Sequence, residues 1–158
     1  MLVTLDEWRF IEIGIALREA GKHDEAVTIY EEGLAQMPYS TALWTNKSMS
    51  LGELGLLNDA ITAATRAIYL NPRQEKAWSN LGSLYTSTNR PHDAIRCLDR
   101  AIAIDPTYAI AWINKAAALI NGLGRLEEGL ACLEEAVLLG AKNVESSIAE
   151  VRKLLDEE

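Results

Sequence analysis

Three tryptophans, Trp44, Trp78 and Trp112, recur at one constant spacing, and other residue types recur with them. In the clearest copy, residues 75–108, the recurring positions are Trp78, Leu81, Gly82, Tyr85, Ala94, Leu98, Ala101 and Pro106. A fixed period of this kind predicts stacked structural units, because each unit buries its apolar face against its neighbours.

The period divides the chain into four units, residues 7–40, 41–74, 75–108 and 109–143. After Leu119 the frame shifts by one residue, so the fourth unit is one residue longer than the others. From residue 144 onward, apolar residues at helical spacing, Val144, Ile148, Val151 and Leu155, face charged ones. The pattern predicts a helix over 144–158 that covers the open apolar face of the fourth unit. All 158 residues are predicted to form one domain.

At these positions the repeat resembles the tetratricopeptide repeat, a helix–turn–helix unit of about 34 residues, except that Leu98 stands where an aromatic residue is usual. The resemblance implies an all-α fold, a right-handed α-solenoid of four helix pairs with a C-terminal solvating helix. Thr4 and Glu7 are predicted to form a capping box at the first helix. The residues predicted to end the first helix of each pair in a left-handed conformation are Gly21, Gly55, Asn89 and Gly124.

The charge of the chain and its lack of long apolar segments limit which classes of partner and which location are expected. The net charge is −8, which argues against nucleic acid or an anionic membrane surface as partner, since both require basic patches. No apolar run is long enough for a membrane span, and the first ten residues lack the features of a signal peptide, so a cytoplasmic location is expected.

Cys97 and Cys132 are predicted to be free thiols; a disulfide or metal pair is the alternative.

The sequence contains no pattern typical of catalysis. His23 and His92 occupy equivalent turns and are not spaced as metal ligands. Residues 122–124 lack the Lys-Ser/Thr that follows the glycines of a phosphate-binding loop. We therefore expect neither an enzyme nor a cofactor or metal.

In the family that the chain resembles, the first helix of each unit lines a concave groove. Asn46, Asn80 and Asn114 stand there, each at the same position of its own repeat. A side-chain amide both donates and accepts hydrogen bonds, so it can pair with a peptide main chain of any sequence. We expect a protein-interaction module that binds an extended segment of a partner; a structural role for the asparagines is the alternative. For binding, the asparagines should face solvent, and Asn80→Ala should leave folding almost unchanged.

The flanking positions predicted to line the groove are Ile11, Ile15, Thr45, Met49, Lys76, Ser79, Ser83, Ile110 and Ile113. The competing function is self-assembly, in which Trp8 and the isoleucines bury against another copy of the chain. One subfamily binds chaperone carboxylate tails with five polar or basic groove residues, and the corresponding positions here are Ile11, Ile15, Asn46, Lys76 and Asn80. Because only Asn46 and Lys76 match, we do not expect a chaperone-tail receptor.

Overall fold

The computed structural model describes residues 5–157, and this part of the chain is built from helices without any strand. The α-helices are α1 (Leu5–Glu19), α2 (His23–Gln36), α3 (Thr41–Glu53), α4 (Leu57–Leu70), α5 (Glu75–Ser87), α6 (Pro91–Ile104), α7 (Ala109–Ala117), α8 (Leu126–Leu138) and α9 (Glu145–Asp156). The all-α prediction is confirmed, with two helices in each predicted unit and a ninth helix after them. None of the helices within residues 5–157 combines the length and apolar character needed to cross a membrane.

The chain divides into two compact units, one up to Asn80 and one from Leu81. In the first unit α1 packs on α2, and α3 packs on α2 and α4. In the second unit α7 packs on α6 and α8, and α9 packs on α8. Consecutive helices therefore pack on one another in both units, as the repeat predicts, and in the first unit α1 also contacts α3. The single domain predicted for residues 1–158 stays a prediction.

The turn inside each helix pair depends on a residue with positive φ. Gly21, Gly55 and Gly124 have φ of +75°, +76° and +66°, and Asn89 has φ of +55°, which confirms the predicted left-handed residues. In the first three pairs the N–H that follows this residue bonds to the carbonyl oxygen five residues earlier, as in Arg90 N to Tyr85 O at 2.8 Å. This arrangement satisfies carbonyl groups that the helix end would otherwise leave without partners.

The extra residue of the fourth unit is accommodated inside a helix. Residues Ala118–Gly122 continue α7 as a π-helical turn, and Arg125 N bonds to Leu119 O, six residues earlier, at 2.9 Å. A π-turn takes up one residue more than an α-turn, so it restores the register of the following helix. The shift of frame in the sequence thus has a local structural cause.

Asn89 provides a test of the turn. We expect Asn89→Gly to be almost neutral and Asn89→Ala to lower the free energy of unfolding by about 1 kcal/mol, because Cβ is unfavourable at positive φ and alanine cannot compensate with a polar side chain. Urea denaturation of both variants measures this difference. Equal stabilities would contradict the assigned backbone conformation.

Each recurring tryptophan forms a hydrogen bond from its helix to the loop that precedes it. The indole N–H donates to a proline carbonyl six residues earlier at 2.9, 2.9 and 3.0 Å in the pairs Trp44–Pro38, Trp78–Pro72 and Trp112–Pro106. Proline ends the preceding helix because it lacks an N–H and its ring clashes with the preceding turn. The paired recurrence of Trp and Pro therefore positions the starts of α3, α5 and α7.

Each unit has its own apolar core. In the first unit Ala26, Tyr30, Leu34 and Leu43 are buried together. In the second unit the buried cluster is Ala116, Leu119, Cys132, Leu133 and Val151. Val151 belongs to α9, which confirms that the last helix covers the apolar face of the fourth helix pair.

Ser40 links the start of α3 to α1. Its hydroxyl accepts from Leu43 N at 3.0 Å and donates to the Glu7 carboxylate. The cap of α3 thus has the form expected for serine before a helix. Thr4, the other member of the predicted capping box, lies outside the described residues, so that box stays a prediction.

Candidate functional site

The three asparagines on the first helices are half-buried, and the two in the first unit have clear internal partners. Asn46 Nδ2 donates to Ala42 O at 2.9 Å within α3. Asn80 Nδ2, on α5, donates to Ser48 Oγ on α3 at 2.7 Å. For Asn46 and Asn80 the expectation of side chains that simply face solvent needs correction, because each of these two half-buried amides uses an N–H inside the protein.

Ser48 extends the bond from Asn80 to a third helix. Its hydroxyl is fully buried and donates to Ala60 O on α4 at 2.7 Å. Asn80, Ser48 and Ala60 therefore form one hydrogen-bonded chain that fixes the orientation of the Asn80 amide. The expectation that Asn80→Ala leaves folding almost unchanged needs correction, since this replacement removes a partly buried hydrogen bond.

Thr45 and Ser79 do not line an open surface. Thr45 is 3% exposed and Ser79 is 2% exposed. The Thr45 hydroxyl lies 2.8 Å from Thr41 O and 2.9 Å from Gln74 Oε1, so it is occupied within the first unit. The prediction that Thr45 and Ser79 line the groove therefore needs correction, because packing buries this face of α3 and α5.

The remaining predicted positions are accessible to different extents. Half-buried side chains that retain some exposure are Ile11, Ile15, Met49, Ser83, Ile113 and Asn114. Lys76 is exposed, and Ile110 is 51% exposed. The structure thus leaves partly accessible apolar and polar side chains on α1, α3 and the start of α5 in the first unit, and on the rest of α5 and α7 in the second.

Reasoning from the sequence missed a charged group beside Met49. Arg18, near the end of α1, donates from one terminal guanidinium nitrogen to Met49 Sδ at 3.3 Å. Its Nε lies 4.0 Å from Glu53 Oε2, and His23 Nδ1 lies 2.9 Å from the same oxygen. Nothing in the repeat period indicates this contact between turn and helix.

The two cysteines are free and buried. Burial raises the pKa of the Cys97 thiol to about 11 and also raises the pKa of Cys132. A raised pKa disfavours the thiolate, the reactive form, so both behave as small apolar core residues. The prediction of free thiols is confirmed. Among residues 5–157, no group of three His, Cys, Asp or Glu side chains is arranged to hold a metal ion.

The helix pairs share a left-handed residue in the turn, most have a hydrogen bond from Trp to a proline carbonyl, and neighbouring helices along the chain pack together. These features define a helical repeat protein. Family models described as tetratricopeptide repeat match residues 41–74 and 75–108. The chain is a tetratricopeptide repeat protein, as the resemblance indicated. Such proteins are generally scaffolds for interaction with other proteins rather than enzymes.

Solved structures share this fold at low sequence identity. A thermophilic TPR protein of Thermus thermophilus is 21% identical, with a TM-score of 0.86 over 94% of this chain and 82% of that chain. A MamA protein is 25% identical, with a TM-score of 0.71 over 94% of this chain and 83% of that chain. The first TPR of Spaghetti (RPAP3), bound to an HSP90 peptide, is 20% identical, with a TM-score of 0.68 over 73% of this chain and 93% of that chain. No curated protein sequence matches the chain.

Proposed function

We propose that this chain is a protein-interaction module that binds an extended segment of a partner along the first helices of its repeats. The observation that carries the proposal is the Asn80 amide, which Ser48 holds in a defined orientation at a half-buried position. One N–H serves this internal bond, and the amide still has a carbonyl oxygen and a second N–H to offer a peptide main chain. An oriented amide binds with a smaller loss of side-chain entropy than a mobile one.

Asn46 supports the same reading in the first unit. Its amide is oriented by the Ala42 carbonyl rather than by a neighbouring helix. Each neutral hydrogen bond to a ligand adds about 0.5–1.5 kcal/mol, so two asparagines contribute a modest affinity without reading the peptide sequence. Selectivity must therefore come from the surrounding side chains.

Apolar and charged neighbours provide that selectivity. In the first unit Ile11, Ile15 and Met49 are half-buried and suit apolar ligand side chains, while exposed Lys76 suits an acidic one. The counterpart residues of the second unit, proposed for the same use there, are Ser83, Ile110, Ile113 and Asn114. Thr45 and Ser79 are not part of the proposed site because they are buried.

The HSP90 peptide bound by one structural neighbour suggests a comparison with chaperone-tail receptors. In this chain Ile11 and Ile15 stand where that subfamily uses polar or basic residues. Apolar side chains cannot donate hydrogen bonds to a terminal carboxylate. We therefore propose an internal, extended segment with apolar side chains as ligand rather than a chaperone tail.

Peptide binding tests the proposal through two asparagine variants. A linear peptide selected from a random library against the wild-type protein is titrated by calorimetry. We expect Asn46→Ala and Asn80→Ala each to weaken binding several-fold. Asn80→Ala should also lower the free energy of unfolding by about 0.5–1.5 kcal/mol through loss of the bond to Ser48. Asn46→Ala should change stability by only a few tenths of a kcal/mol, since alanine favours the helix.

Asn58→Ala is the matched control, because Asn58 is exposed on α4, a second helix. It should leave peptide affinity unchanged. The proposal fails if no linear peptide binds, or if the variants of Asn46 and Asn80 bind as tightly as the control. Reduced stability with unchanged affinity would assign the asparagines a structural role only.

Self-assembly is the second candidate function, and the exposure of two large apolar side chains favours it. Trp8 is 54% exposed and Ile110 is 51% exposed. Such residues become buried when copies associate. Sedimentation equilibrium over a concentration series distinguishes the candidates, since a monomer at every concentration would exclude assembly. In an assembling protein, Trp8→Ser and Ile110→Ser should restore the monomer.

A further inference from the structure

The Arg18 cluster, defined as Arg18, His23, Tyr30, Met49 and Glu53, lies within the first unit and contains a poorly paired cation. The Arg18 side chain is 17% exposed, yet its Nε is 4.0 Å from the Glu53 carboxylate, which is beyond hydrogen-bond distance. Its hydrogen bond to Met49 uses a thioether, which is a weak acceptor. A largely buried guanidinium normally has stronger acceptors, because removing a charge from water is costly.

Tyr30 is a second, independent sign of a missing acceptor. Its side chain is fully buried, and its hydroxyl has no hydrogen-bond partner among the described residues. Buried hydroxyl groups are normally paired. A Cβ placed on Gly14 would lie 2.7 Å from the Tyr30 hydroxyl oxygen, and Arg18 follows Gly14 by one turn on the same face of α1. Burial also raises the pKa of Tyr30 to about 12, so the hydroxyl keeps its proton. A donor without an acceptor therefore lies against the face of α1 that carries the poorly paired guanidinium.

Glu53 is the natural anion for this cluster but lies at its rim. Its Oε2 lies 2.9 Å from His23 Nδ1 without forming a hydrogen bond to it, and its side chain is 43% exposed. At 4.0 Å from Arg18 Nε the carboxylate is too far away for a hydrogen bond but close enough to repel a second anion. Glu53 thus lowers the affinity of the cluster for another anion without satisfying Arg18.

We propose that the Arg18 cluster binds a carboxylate group of a partner segment, with Arg18 as the donor beside the Tyr30 hydroxyl and with Glu53 as an internal competitor. The proposal rests on the proposed function, because Met49 belongs to the proposed peptide site and is the acceptor that the ligand carboxylate replaces. A bond from guanidinium to carboxylate is charge-assisted and stronger than one to a thioether. The cluster shares no residue with the five positions that correspond to the chaperone-tail subfamily, Ile11, Ile15, Asn46, Lys76 and Asn80.

The test follows the Arg18 Nε–H resonance by NMR at constant ionic strength. The probe is acetyl-aspartate N-methylamide, which carries a side-chain carboxylate, and acetyl-asparagine N-methylamide is its neutral counterpart. We expect the acidic probe alone to shift this resonance, with a dissociation constant about tenfold lower in Glu53→Gln than in the wild-type protein. Tyr30→Phe should weaken the binding several-fold. Acetyl-alanine, with a chain-terminal carboxylate, shows whether a peptide end binds as well as a side chain.

Glu19→Gln is the matched control, because Glu19 is exposed and adjacent to Arg18 in sequence. It removes the same charge and should change the dissociation constant less than about twofold, as expected for a screened surface charge. Equal dissociation constants in wild-type protein and Glu53→Gln, or an equal gain in Glu19→Gln, would overturn the proposal. These results do not depend on the library peptide, so failure of that peptide to bind would count against the proposed function separately.

Discussion

Gly82→Ala is expected to lower the free energy of unfolding by about 1–3 kcal/mol, although alanine is the better helix former. Gly82 is buried on α5, and a Cβ at this position would lie 2.5 Å from Leu98 Cγ on α6. Leu98 is itself fully buried, so it has little room to move away. The two helices must separate or Leu98 must leave its preferred rotamer, and either change costs more than the gain in helix propensity.

A double-mutant cycle tests this explanation by urea denaturation. Leu98→Ala alone should cost about 2–5 kcal/mol because it leaves a cavity. Combined with Gly82→Ala, the total loss should be smaller than the sum by about 0.5–3 kcal/mol, since the new methyl group enters that cavity. Ser87→Ala, at an exposed position of α5, should change stability by less than about 0.5 kcal/mol. Strictly additive losses would contradict the close approach of these helices.

Val151→Asp should detach α9 and lower the free energy of unfolding by about 3 kcal/mol or more, since it places a charge in an apolar cluster. Val151 is 4% exposed and packs with Leu119, Cys132 and Leu133. Without α9 this face of the last helix pair meets water. Hydrogen exchange should therefore accelerate in α8 as well as in α9.

Ala149→Asp is the control for this prediction. Ala149 is exposed on the same helix, so the change introduces the same charge and a similar loss of helix propensity. We expect it to cost less than about 1 kcal/mol and to leave exchange in α8 unchanged. Similar effects of the two substitutions would show that α9 does not stabilise the second unit through Val151.

The repeat in the sequence was sufficient to predict the helices and their order. A constant period constrains many positions together, and Gly21, Gly55, Asn89 and Gly124 mark the turns through their backbone conformation. The helical spacing of Val144, Ile148, Val151 and Leu155 likewise predicted α9. These features are local or strictly periodic, so they can be recognised without knowing how the helices pack.

The candidate site was less predictable, because its chemistry depends on contacts between helices. Asn46 and Asn80 occupy equivalent positions, yet one bonds within its own helix and the other bonds to Ser48 on a neighbouring helix. Thr45 and Ser79 were expected at an accessible surface but are buried. A period indicates which residues share a face of a helix, whereas the rotation of the helix against its neighbours decides where that face becomes accessible.

The helix pairs, their turns, the terminal covering helix and the resemblance to the tetratricopeptide repeat family could all be recognised from the order of the residues. Packing in three dimensions was needed to show how the extra residue near Leu119 is accommodated, which asparagine bonds to which helix, and that Arg18 lies beside Met49 and Glu53. The two sets of features differ in the range of the interactions that produce them. Backbone conformation and periodic burial are encoded along the chain, while hydrogen bonds between helices depend on offsets of a few ångströms set by packing.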